Sequence, residues 1–264
     1  DPKDPRLPPN SSPLFKGCEK HGIVTKNFHP LVLERTRERL RTHLFSKCKP
    51  LRSVPRLKLT EQQAICGDPT LPFCDPLRWN SSEGYPYFKF RPAGETTKKW
   101  LFKLEELPSG LVFLGYHELL DGIISYKRKQ RRLGVVQPTI FVDCLKDARI
   151  PIEKCSIPGK TRIFSMSPVD YTIDFRIMFY DFIAAFQTRR FDNFNAIGIN
   201  VFGAEWDLLA RQLNLHPNIC TGDYSNFGPG LNLQVASICC QLIMEWYDNF
   251  DTGQTLEDQR ERAC

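Results

Sequence analysis

The sequence lacks several features that would assign it quickly to a class. Its ten cysteines include no Cys-x-x-Cys pair, and its five histidines are scattered. This argues against a zinc site and favours reduced, mostly structural cysteines. No apolar run is long enough to span a bilayer and no signal peptide is visible, so we expect a cytoplasmic protein.

Internal repeats and low-complexity tracts are also absent. Of the 264 residues, 41% are hydrophobic and 25% are charged, which is ordinary usage for a folded globular protein and excludes global disorder. This length accommodates one large domain or two smaller ones. Cys239 and Cys240 fall within a predicted helix and Cys220 within a predicted strand, where thiols act as small apolar residues.

Acidic residues are scarce in one part of the chain. The net charge is +6, yet residues 123–162 alone contain ten basic residues against three acidic ones. A local surplus of this size indicates an anionic partner, with RNA, DNA or nucleotide phosphates the first candidates. The basic residues are Lys127, Arg128, Lys129, Arg131, Arg132, Lys146, Arg149, Lys154, Lys160 and Arg162.

Apolar periodicity predicts most of the helices. Residues 1–13 contain five prolines and should form an extended arm. An amphipathic surface helix is expected over residues 28–45, and residues 67–95 should be rich in loops. Further helices are predicted over 61–66, 170–186 and 204–213.

Two strands are predicted in the basic part of the chain. Residues 139–146 and 160–165 have strand character and are separated by turns that contain Pro158 and Gly159. We expect a hairpin-like pair whose basic residues line one channel. Those residues are Lys146, Arg149, Lys154, Lys160 and Arg162.

A strand, an acidic turn and a helix are predicted near the C-terminal end. Ile219–Thr221 should form a short buried strand that ends before Asp223, and Pro229 suits the first position of the following helix. A carboxylate held at the end of a buried strand is well placed to bind a divalent cation. The alternative is that Asp223 only caps the turn before the helix.

A turn with hydroxyl and aromatic residues occupies positions 80–87, Asn-Ser-Ser-Glu-Gly-Tyr-Pro-Tyr. Its backbone amides, hydroxyls and rings suit contact with a sugar-phosphate backbone and stacked bases. Taken alone, such a string indicates only a turn. Its significance comes from its position in the chain, where it precedes the basic hairpin and the acidic turn.

These three stretches resemble, in content and order, motifs G, F and A of the RNA-dependent RNA polymerases of picornavirus-like positive-strand RNA viruses. The motif G stretch is 80–87, the motif F stretch is 146–165 and the motif A stretch is 221–231. Together with Ala-Ile-Gly-Ile-Asn at 196–200, they are most similar to iflaviruses, with dicistroviruses second. The resemblance covers nearly the whole chain.

The resemblance implies specific roles at the catalytic end. Asp223 matches the motif A aspartate that, with the backbone carbonyl of Tyr224, binds catalytic Mg²⁺ (or Mn²⁺), two ions in the complete enzyme. Motif F residues that bind the triphosphate of the incoming NTP correspond to Lys146, Lys154 and Arg162, with Lys160 beside them. We expect Asp223 and this basic hairpin to face each other across a single cavity.

The resemblance also implies a template-binding loop. Ser81, Ser82, Gly84 and Tyr85 match motif G, and Lys127 and Arg128 are added as template-binding candidates from the basic cluster. One departure concerns ribose selection, because Gly228 stands where most members carry a second aspartate. Asn226, or a residue outside this sequence, is the candidate to share that task.

The implied fold class is α+β, a right-hand polymerase fold with the fingers and the first part of the palm. The predicted division is an N-terminal extended arm at 1–25, fingers at 26–178, the start of the palm at 179–250 and a return toward the fingers at 251–264. Palm and thumb are expected to be incomplete, because the Ser-Gly, Thr and Asn string of motif B and the Gly-Asp-Asp of motif C are absent.

The implied activity is template-directed nucleotidyl transfer from NTPs to an RNA or protein-linked primer. Expected partners are RNA template and primer, NTPs, a small viral protein primer and other viral replication proteins, without DNA or a membrane span. The expected location is the host cytoplasm, at membrane-associated replication complexes. We expect the chain alone to be inactive. The alternative is a non-catalytic RNA-binding module with the basic hairpin as its binding surface.

Overall fold

Helices form most of the regular structure in the computed structural model of the chain, which describes residues 4–22 and 24–264. The α-helices are α1 (Pro13–Cys18), α2 (Pro30–Lys47), α3 (Glu61–Cys66), α4 (Glu118–Arg132), α5 (Val169–Thr188), α6 (Ala204–Leu213), α7 (Leu233–Phe250) and α8 (Leu256–Ala263). Short 3-10 helices occupy Glu19–Gly22, Tyr87–Phe90, Lys98–Leu101 and Ile152–Lys154.

The strands of the described residues form two separate antiparallel hairpins. Strand β1 (Phe102–Leu107) pairs with β2 (Gly110–Tyr116), and β3 (Val142–Leu145) pairs with β4 (Ile163–Met166). In the second hairpin Val142 lies opposite Met166 and Leu145 lies opposite Ile163. The predicted pairing of the two basic strands is therefore confirmed, although both strands are shorter than their apolar patterns indicate.

Four of the helix predictions agree closely with the structure. The predictions over 61–66 and 204–213 are confirmed to the residue by α3 and α6. Helix α3 begins with a capping box, in which Thr60 Oγ1 accepts from Gln63 N while Gln63 Oε1 accepts from Thr60 N. The predictions over 28–45 and 170–186 are confirmed within two residues by α2 and α5.

One hydrophobic core surrounds the first half of α5. Ile173 of α5, Leu120 and Ile124 of α4 and Ile65 of α3 are each at most 1% exposed. Tyr87, at the end of the Asn80–Tyr87 turn, is fully buried in the same cluster. Packing around α5 therefore fixes the position of that turn relative to α3 and α4.

A second core joins α2 and α7 to the end of α5. Leu44, Ala185, Trp246 and Tyr247 are buried together, and the Trp246 indole Nε1 donates to the carbonyl of Cys48 at 2.6 Å. Phe179 packs against both cores. Helix α5 is thus the element on which the two halves of the described chain are assembled.

The N-terminal region differs from the predicted extended arm at 1–25. Residues 1–3 and 23 lie outside the described residues, but within the arm α1 is helical and its Gly17 lies directly against Ile163 of β4. Lys20 Nζ donates to the carbonyl of Gly159 at 2.5 Å. Pro13 and Gly17 of α1 are buried, although Phe15 is 72% exposed, so this part is a docked element rather than a free arm.

The cysteine prediction is only partly confirmed. All ten cysteines are free thiols, but Cys220, Cys239 and Cys240 are exposed rather than buried. Cys239 and Cys240 open onto two surface grooves that nothing in the described chain covers. Helical periodicity predicts which face of a helix is apolar, but it does not predict whether another element of the chain buries that face.

The predicted division into fingers and palm stays a prediction. Its boundary between residues 178 and 179 falls inside α5, which is continuous from Val169 to Thr188. The backbone therefore shows no break at that point. Among the described residues, no helix combines the length and the apolar character needed to cross a bilayer.

Candidate active site

The β3–β4 hairpin presents cations that no carboxylate within residues 4–22 and 24–264 neutralises. Lys146 follows β3, Arg162 precedes β4, and Lys146 N donates to the carbonyl of Arg162 at 2.8 Å. The five basic side chains of the hairpin are all exposed, and none forms an ion pair with another described residue. They are Lys146, Arg149, Lys154, Lys160 and Arg162. Their charge is available to an anionic ligand.

The cations of α4 are arranged differently. Lys127 Nζ lies 2.6 Å from Asp170 of α5, and the Arg128 guanidinium reaches both Asp174 at 2.8 Å and Glu61 of α3 at 2.6 Å. The predicted template-binding role of Lys127 and Arg128 finds no support in this geometry. Their ion pairs instead hold α4 against α5 and α3.

A cavity of about 400 Å³ lies beside the hairpin. Lys146 and Thr161 line it on one side, and Asp4 and Arg6 of the N-terminal segment line it on the other. Of the five hairpin cations only Lys146 lines this cavity, so the structure does not gather all five in the predicted single channel. Its volume lies in the range of small-molecule sites, but its charged lining is balanced, with Arg6 and Lys146 against Asp4 and Asp147.

The N-terminal segment contributes an ion pair to this cavity. The Arg6 side chain donates to the Asp4 carboxylate, with Nε 2.8 Å from Oδ1. This contact holds the pKa of the Asp4 carboxyl well below its ordinary value. The segment therefore adds one charge of each sign to the wall, and with Lys146 and Asp147 the lining carries no net charge.

The predicted template-binding loop is anchored by its backbone on the start of α5. Glu83 O accepts from Val169 N at 2.9 Å. Gly84 has a φ of +76°, and a Cβ at this position would lie 2.5 Å from the carbonyl oxygen of Ser167. Only glycine can lie so close to the Ser167 backbone, so Gly84 allows the loop to pack against the segment before α5.

Beneath the loop is a buried carboxylate. Glu83 is fully buried, and its Oε1 accepts from Arg91 Nε at 2.8 Å and from Trp100 Nε1 at 3.3 Å. Burial would raise the pKa of Glu83, but these donors, Arg91 foremost, outweigh it and lower the pKa below the ordinary value. The carboxylate is therefore charged and structural.

The exposed side of the loop carries the other predicted residues. Ser81 is exposed, and its Oγ donates to the carbonyl of Arg78 at 2.8 Å while accepting from Lys98 Nζ at 2.9 Å. Ser82 Oγ accepts from Gly84 N at 3.2 Å, and the half-buried Tyr85 ring contacts Phe88. Sequence reasoning missed Lys98, because the dipeptide Lys98-Lys99 carries no signal that only its first lysine is buried.

The predicted strand at Ile219–Thr221 is wrong for this structure. These residues have no regular structure, and Ile219 is 59% exposed. A strand requires a hydrogen-bonded neighbour, and the described strands pair only with each other as β1–β2 and β3–β4. Without such a neighbour, the apolar side chains of this stretch remain at the surface.

The helix that follows begins later than Pro229. Residues 225–230 form turns, in which Gly230 N donates to the carbonyl of Asn226 at 2.8 Å. Helix α7 starts at Leu233 because Asn232 caps it, with its side chain accepting from Gln234 N at 2.8 Å. Asp223 therefore does not cap this helix.

Asp223 is exposed and is not among the residues that line the hairpin cavity. In the described residues its carboxylate makes no ion pair, and no three His, Cys, Asp or Glu side chains gather as a ligand set. Tyr224 is 79% exposed and contacts only the Phe227 ring among aromatic residues. Asp223 therefore does not share the cavity that Lys146 lines, and the described residues do not fit a two-metal centre.

Like Glu83, the buried aspartates of the described residues have structural roles. Asp170, Asp181, Asp251 and Asp258 are each at most 2% exposed, and each is paired with a lysine or arginine. They were not singled out by the sequence pattern, because their cationic partners lie far away in the chain. None of them is available as a metal ligand in this arrangement.

Comparison with known proteins identifies a consistent group of relatives. A family model described as viral RNA-dependent RNA polymerase matches residues 39–257. The genome polyprotein of Deformed wing virus is 41% identical over 263 residues, which cover 99% of this chain and 9% of that polyprotein. The replicase polyprotein of Acute bee paralysis virus is 32% identical over 205 residues, 76% of this chain and 10% of the polyprotein.

A solved structure shares the fold. The Sicinivirus 3Dpol RNA-dependent RNA polymerase superposes with a TM-score of 0.69 at 18% identity, covering 99% of this chain and 49% of that chain. The chain thus spans about half the length of the solved polymerase and about a tenth of the two polyproteins.

Proposed function

Because this chain belongs to the viral RNA-dependent RNA polymerase family, we propose that it forms part of an enzyme that copies a positive-strand RNA genome. The reaction is template-directed nucleotidyl transfer from NTPs to an RNA or protein-linked primer. The observation that carries this proposal is the set of exposed, unpaired cations on the β3–β4 hairpin, in a chain whose α4 cations are mostly ion-paired.

The fold class is the right-hand polymerase fold, as the motif order predicts. Within it we propose that residues 26–178 belong to the fingers and residues 179–250 to the start of the palm. The uninterrupted α5 then links the two subdomains. The likeness to Deformed wing virus agrees with the predicted similarity to iflaviruses.

The triphosphate of the incoming NTP is proposed to bind at the hairpin. Four exposed cations there have no carboxylate partner among the described residues, and one of them, Lys146, borders a cavity of about 400 Å³. The four are Lys146, Lys154, Lys160 and Arg162. A charged phosphate gains most from cations that no other residue neutralises. The lack of carboxylate partners among the described residues supports the motif F assignment more directly than the number of basic residues does.

Viral RNA-dependent RNA polymerases in general use divalent metal ions. We propose Mg²⁺ or Mn²⁺ for this enzyme, with Asp223 and the Tyr224 carbonyl as two of several ligands. One carboxylate is too few for a two-metal centre, so further ligands must come from outside this chain. Bound metal would supply charge stabilisation at the transferring phosphate.

The proposed partners follow from the reaction. They are an RNA template with its primer, NTPs, a small viral protein that acts as primer, and other viral replication proteins. We propose that the enzyme works in the host cytoplasm at membrane-associated replication complexes. We propose that Asn226 or a residue outside this chain selects ribose over deoxyribose, because Gly228 has no side chain that could do so.

The test is primer extension by a polymerase that contains this chain. We expect Asp223→Asn to abolish nucleotide incorporation while RNA affinity stays nearly unchanged. The matched control is Asp207→Asn, which removes an exposed acid of α6 and should leave extension intact. Comparable extension by Asp223→Asn and the wild type would refute the metal role. RNA binding without any incorporation by the wild type would favour the non-catalytic RNA-binding module.

A further inference from the structure

The outer edge of strand β1 has no partner in the part of the chain that the structure describes. Strand β1 pairs with β2 in a sheet of only two strands, so each strand has one edge that faces away from the hairpin. Within residues 4–22 and 24–264, no group outside the hairpin hydrogen-bonds to the backbone of residues 103–107. An edge strand with free N–H and C=O groups is a template for pairing with another chain.

The outer edge of β2, in contrast, is closed by helix α3. The Gln62 side chain donates to the carbonyl of Leu111 at 2.9 Å and accepts from Phe113 N at 2.7 Å. An amide side chain thus takes the place of a third strand beside β2. Among the described residues, the free edge of this hairpin is therefore the one on β1.

The irregularity of the hairpin ladder lies on β2 rather than on β1. Lys103 is opposite Gly115 while Leu104 is opposite Phe113, so Leu114 is the extra residue of a bulge. A bulge on an edge strand hinders the addition of a further strand, because it bends the edge. Strand β1 contains no extra residue, so its free edge is regular.

The side chains of β1 are complementary to those of a second copy of the same strand. Lys103 and Glu105 lie on one face because side chains alternate along a strand, and both are exposed. Neither forms an ion pair with another described residue. Antiparallel pairing about a two-fold axis centred on Leu104 sets Lys103 of each copy opposite Glu105 of the other. The symmetry therefore creates two ion pairs at once.

Charge also selects this register over the other symmetric ones. The interior positions of β1 are Lys103, Leu104, Glu105 and Glu106. An axis centred on any of the three charged residues sets that residue against itself, and like charges directly opposite each other are destabilising. Charged side chains on an edge strand commonly prevent pairing, but here they restrict it to the register centred on Leu104.

We propose that β1 is a dimerisation strand, which pairs with β1 of a second copy of this chain to form a four-stranded antiparallel sheet. A two-stranded sheet is marginal by itself, so each hairpin gains from the pairing. The contact involves one strand from each copy, and we expect a weak dimer with a micromolar dissociation constant. This hairpin contains none of the residues proposed for NTP, metal or template binding, so the inference does not rest on the proposed function.

The experiment is sedimentation velocity of the 264-residue chain over a micromolar concentration series. Lys103→Glu sets two acids opposite each other in place of each ion pair. Because the two-fold axis repeats this change, we expect the dissociation constant of the dimer to rise at least about tenfold. Glu105→Lys should weaken the dimer similarly, since two lysines then lie opposite each other.

The decisive variant combines both substitutions. Lys103→Glu with Glu105→Lys exchanges the two charges and restores both ion pairs. We therefore expect its dissociation constant to return to within about threefold of the wild-type value. Circular dichroism verifies the fold of each variant, and all the substitutions are at exposed positions.

Lys129→Glu is the matched control, because it makes the same change of net charge as Lys103→Glu on an exposed lysine of α4. Its dissociation constant should equal that of the wild type. Equal weakening by Lys129→Glu and Lys103→Glu would mean that only net charge matters and would overturn the proposal.

Three other results would also overturn the dimerisation strand. They are a wild type that stays monomeric throughout the series, an association that neither single substitution weakens, and a double variant that dimerises no better than the single ones. In the second case another surface joins the copies. A monomeric wild type whose complete polymerase still extends primers would refute the dimerisation strand alone and leave the proposed function intact.

Discussion

The guanidinium of Arg262 lies 3.9 Å from the centre of the Tyr247 ring, and both residues are buried. Arg262 also binds the Asp251 carboxylate at 2.7 Å and the carbonyl of Leu57 at 3.0 Å. One side chain of α8 thus joins the end of α7 to the segment before α3. This contact fixes the C-terminal part of the chain on the helical core.

Replacing Arg262 should therefore be strongly destabilising. Arg262→Met leaves the Asp251 carboxylate buried without its cation, and we expect a loss of about 3–5 kcal/mol in the free energy of unfolding. Urea unfolding followed by circular dichroism measures it. Arg260→Met, on the exposed side of α8, is the control and should cost less than about 0.5 kcal/mol. Equal losses for the two variants would contradict the role assigned to Arg262.

A second prediction concerns the docking of the template-binding loop. Gly84→Ala would place a Cβ against the backbone of Ser167 and Pro168 at a positive φ, so both the clash and the strained conformation oppose folding. Gly94→Ala is the control, because Gly94 has a similar φ of +88° but nothing within 4 Å of the added atom.

We expect Gly94→Ala to cost about 1 kcal/mol and Gly84→Ala about 3 kcal/mol or more, measured by thermal or urea unfolding. The difference between the two isolates the close approach of the loop to α5. If both variants lose the same stability, the loop is not held by this contact.

A third prediction separates binding from stability at the hairpin. Lys146→Met removes an exposed cation without an ion pair, so the free energy of unfolding should not change. The affinity for a nucleoside triphosphate should fall about tenfold, the value of one lost charged contact. Lys129→Met, on an exposed and unpaired lysine of α4, is the matched control. An equal loss of affinity in both variants would mean that only net charge matters.

Acid sensitivity provides a fourth prediction. Burial would raise the pKa of the Asp258 carboxyl, but hydrogen bonds from Arg56 and Lys58 outweigh it and hold the pKa well below 3.8. The folded state therefore binds this proton less readily than the unfolded state does. Its contribution to stability is complete above about pH 5 and is lost as pH falls through 3.8 toward the folded pKa.

The measurement is the urea midpoint of unfolding between about pH 6 and pH 2. Asp258→Asn should be less stable than the wild type at neutral pH and should lose less stability on acidification. Glu257→Gln, at an exposed position of the same helix, should follow the wild-type curve. An Asp258→Asn curve parallel to that of the wild type would show that another carboxyl causes the acid loss.

The residues that sequence reasoning placed correctly depend on local chemistry. The predicted span of α3 is confirmed, and the capping box that begins this helix joins Thr60 and Gln63 within one helical turn. Periodicity likewise predicts α5 and α6 nearly to the residue. The motif order from the loop at 80–87 to Asp223 identifies the family, because it is a property of the chain alone.

The residues that sequence reasoning misplaced depend on partners far away in the chain. Lys127 and Lys146 look equivalent in sequence, yet Asp170 neutralises the first and no described carboxylate neutralises the second. Ile219–Thr221 has strand character but no neighbouring strand, so it stays exposed. Whether a charge is neutralised, and whether an extended segment pairs as a strand, depends on the residues that lie beside it in space.

The sequence by itself determined the positions of α2, α3, α5 and α6, the pairing of the basic strands and the family, because apolar periodicity and motifs act over short stretches of the chain. Only the tertiary structure decided which cations are free, that Lys98 is buried beneath Ser81, and that the N-terminal segment docks on the hairpin. Those outcomes depend on long-range packing, in which burial and charge pairing are set by residues distant in sequence.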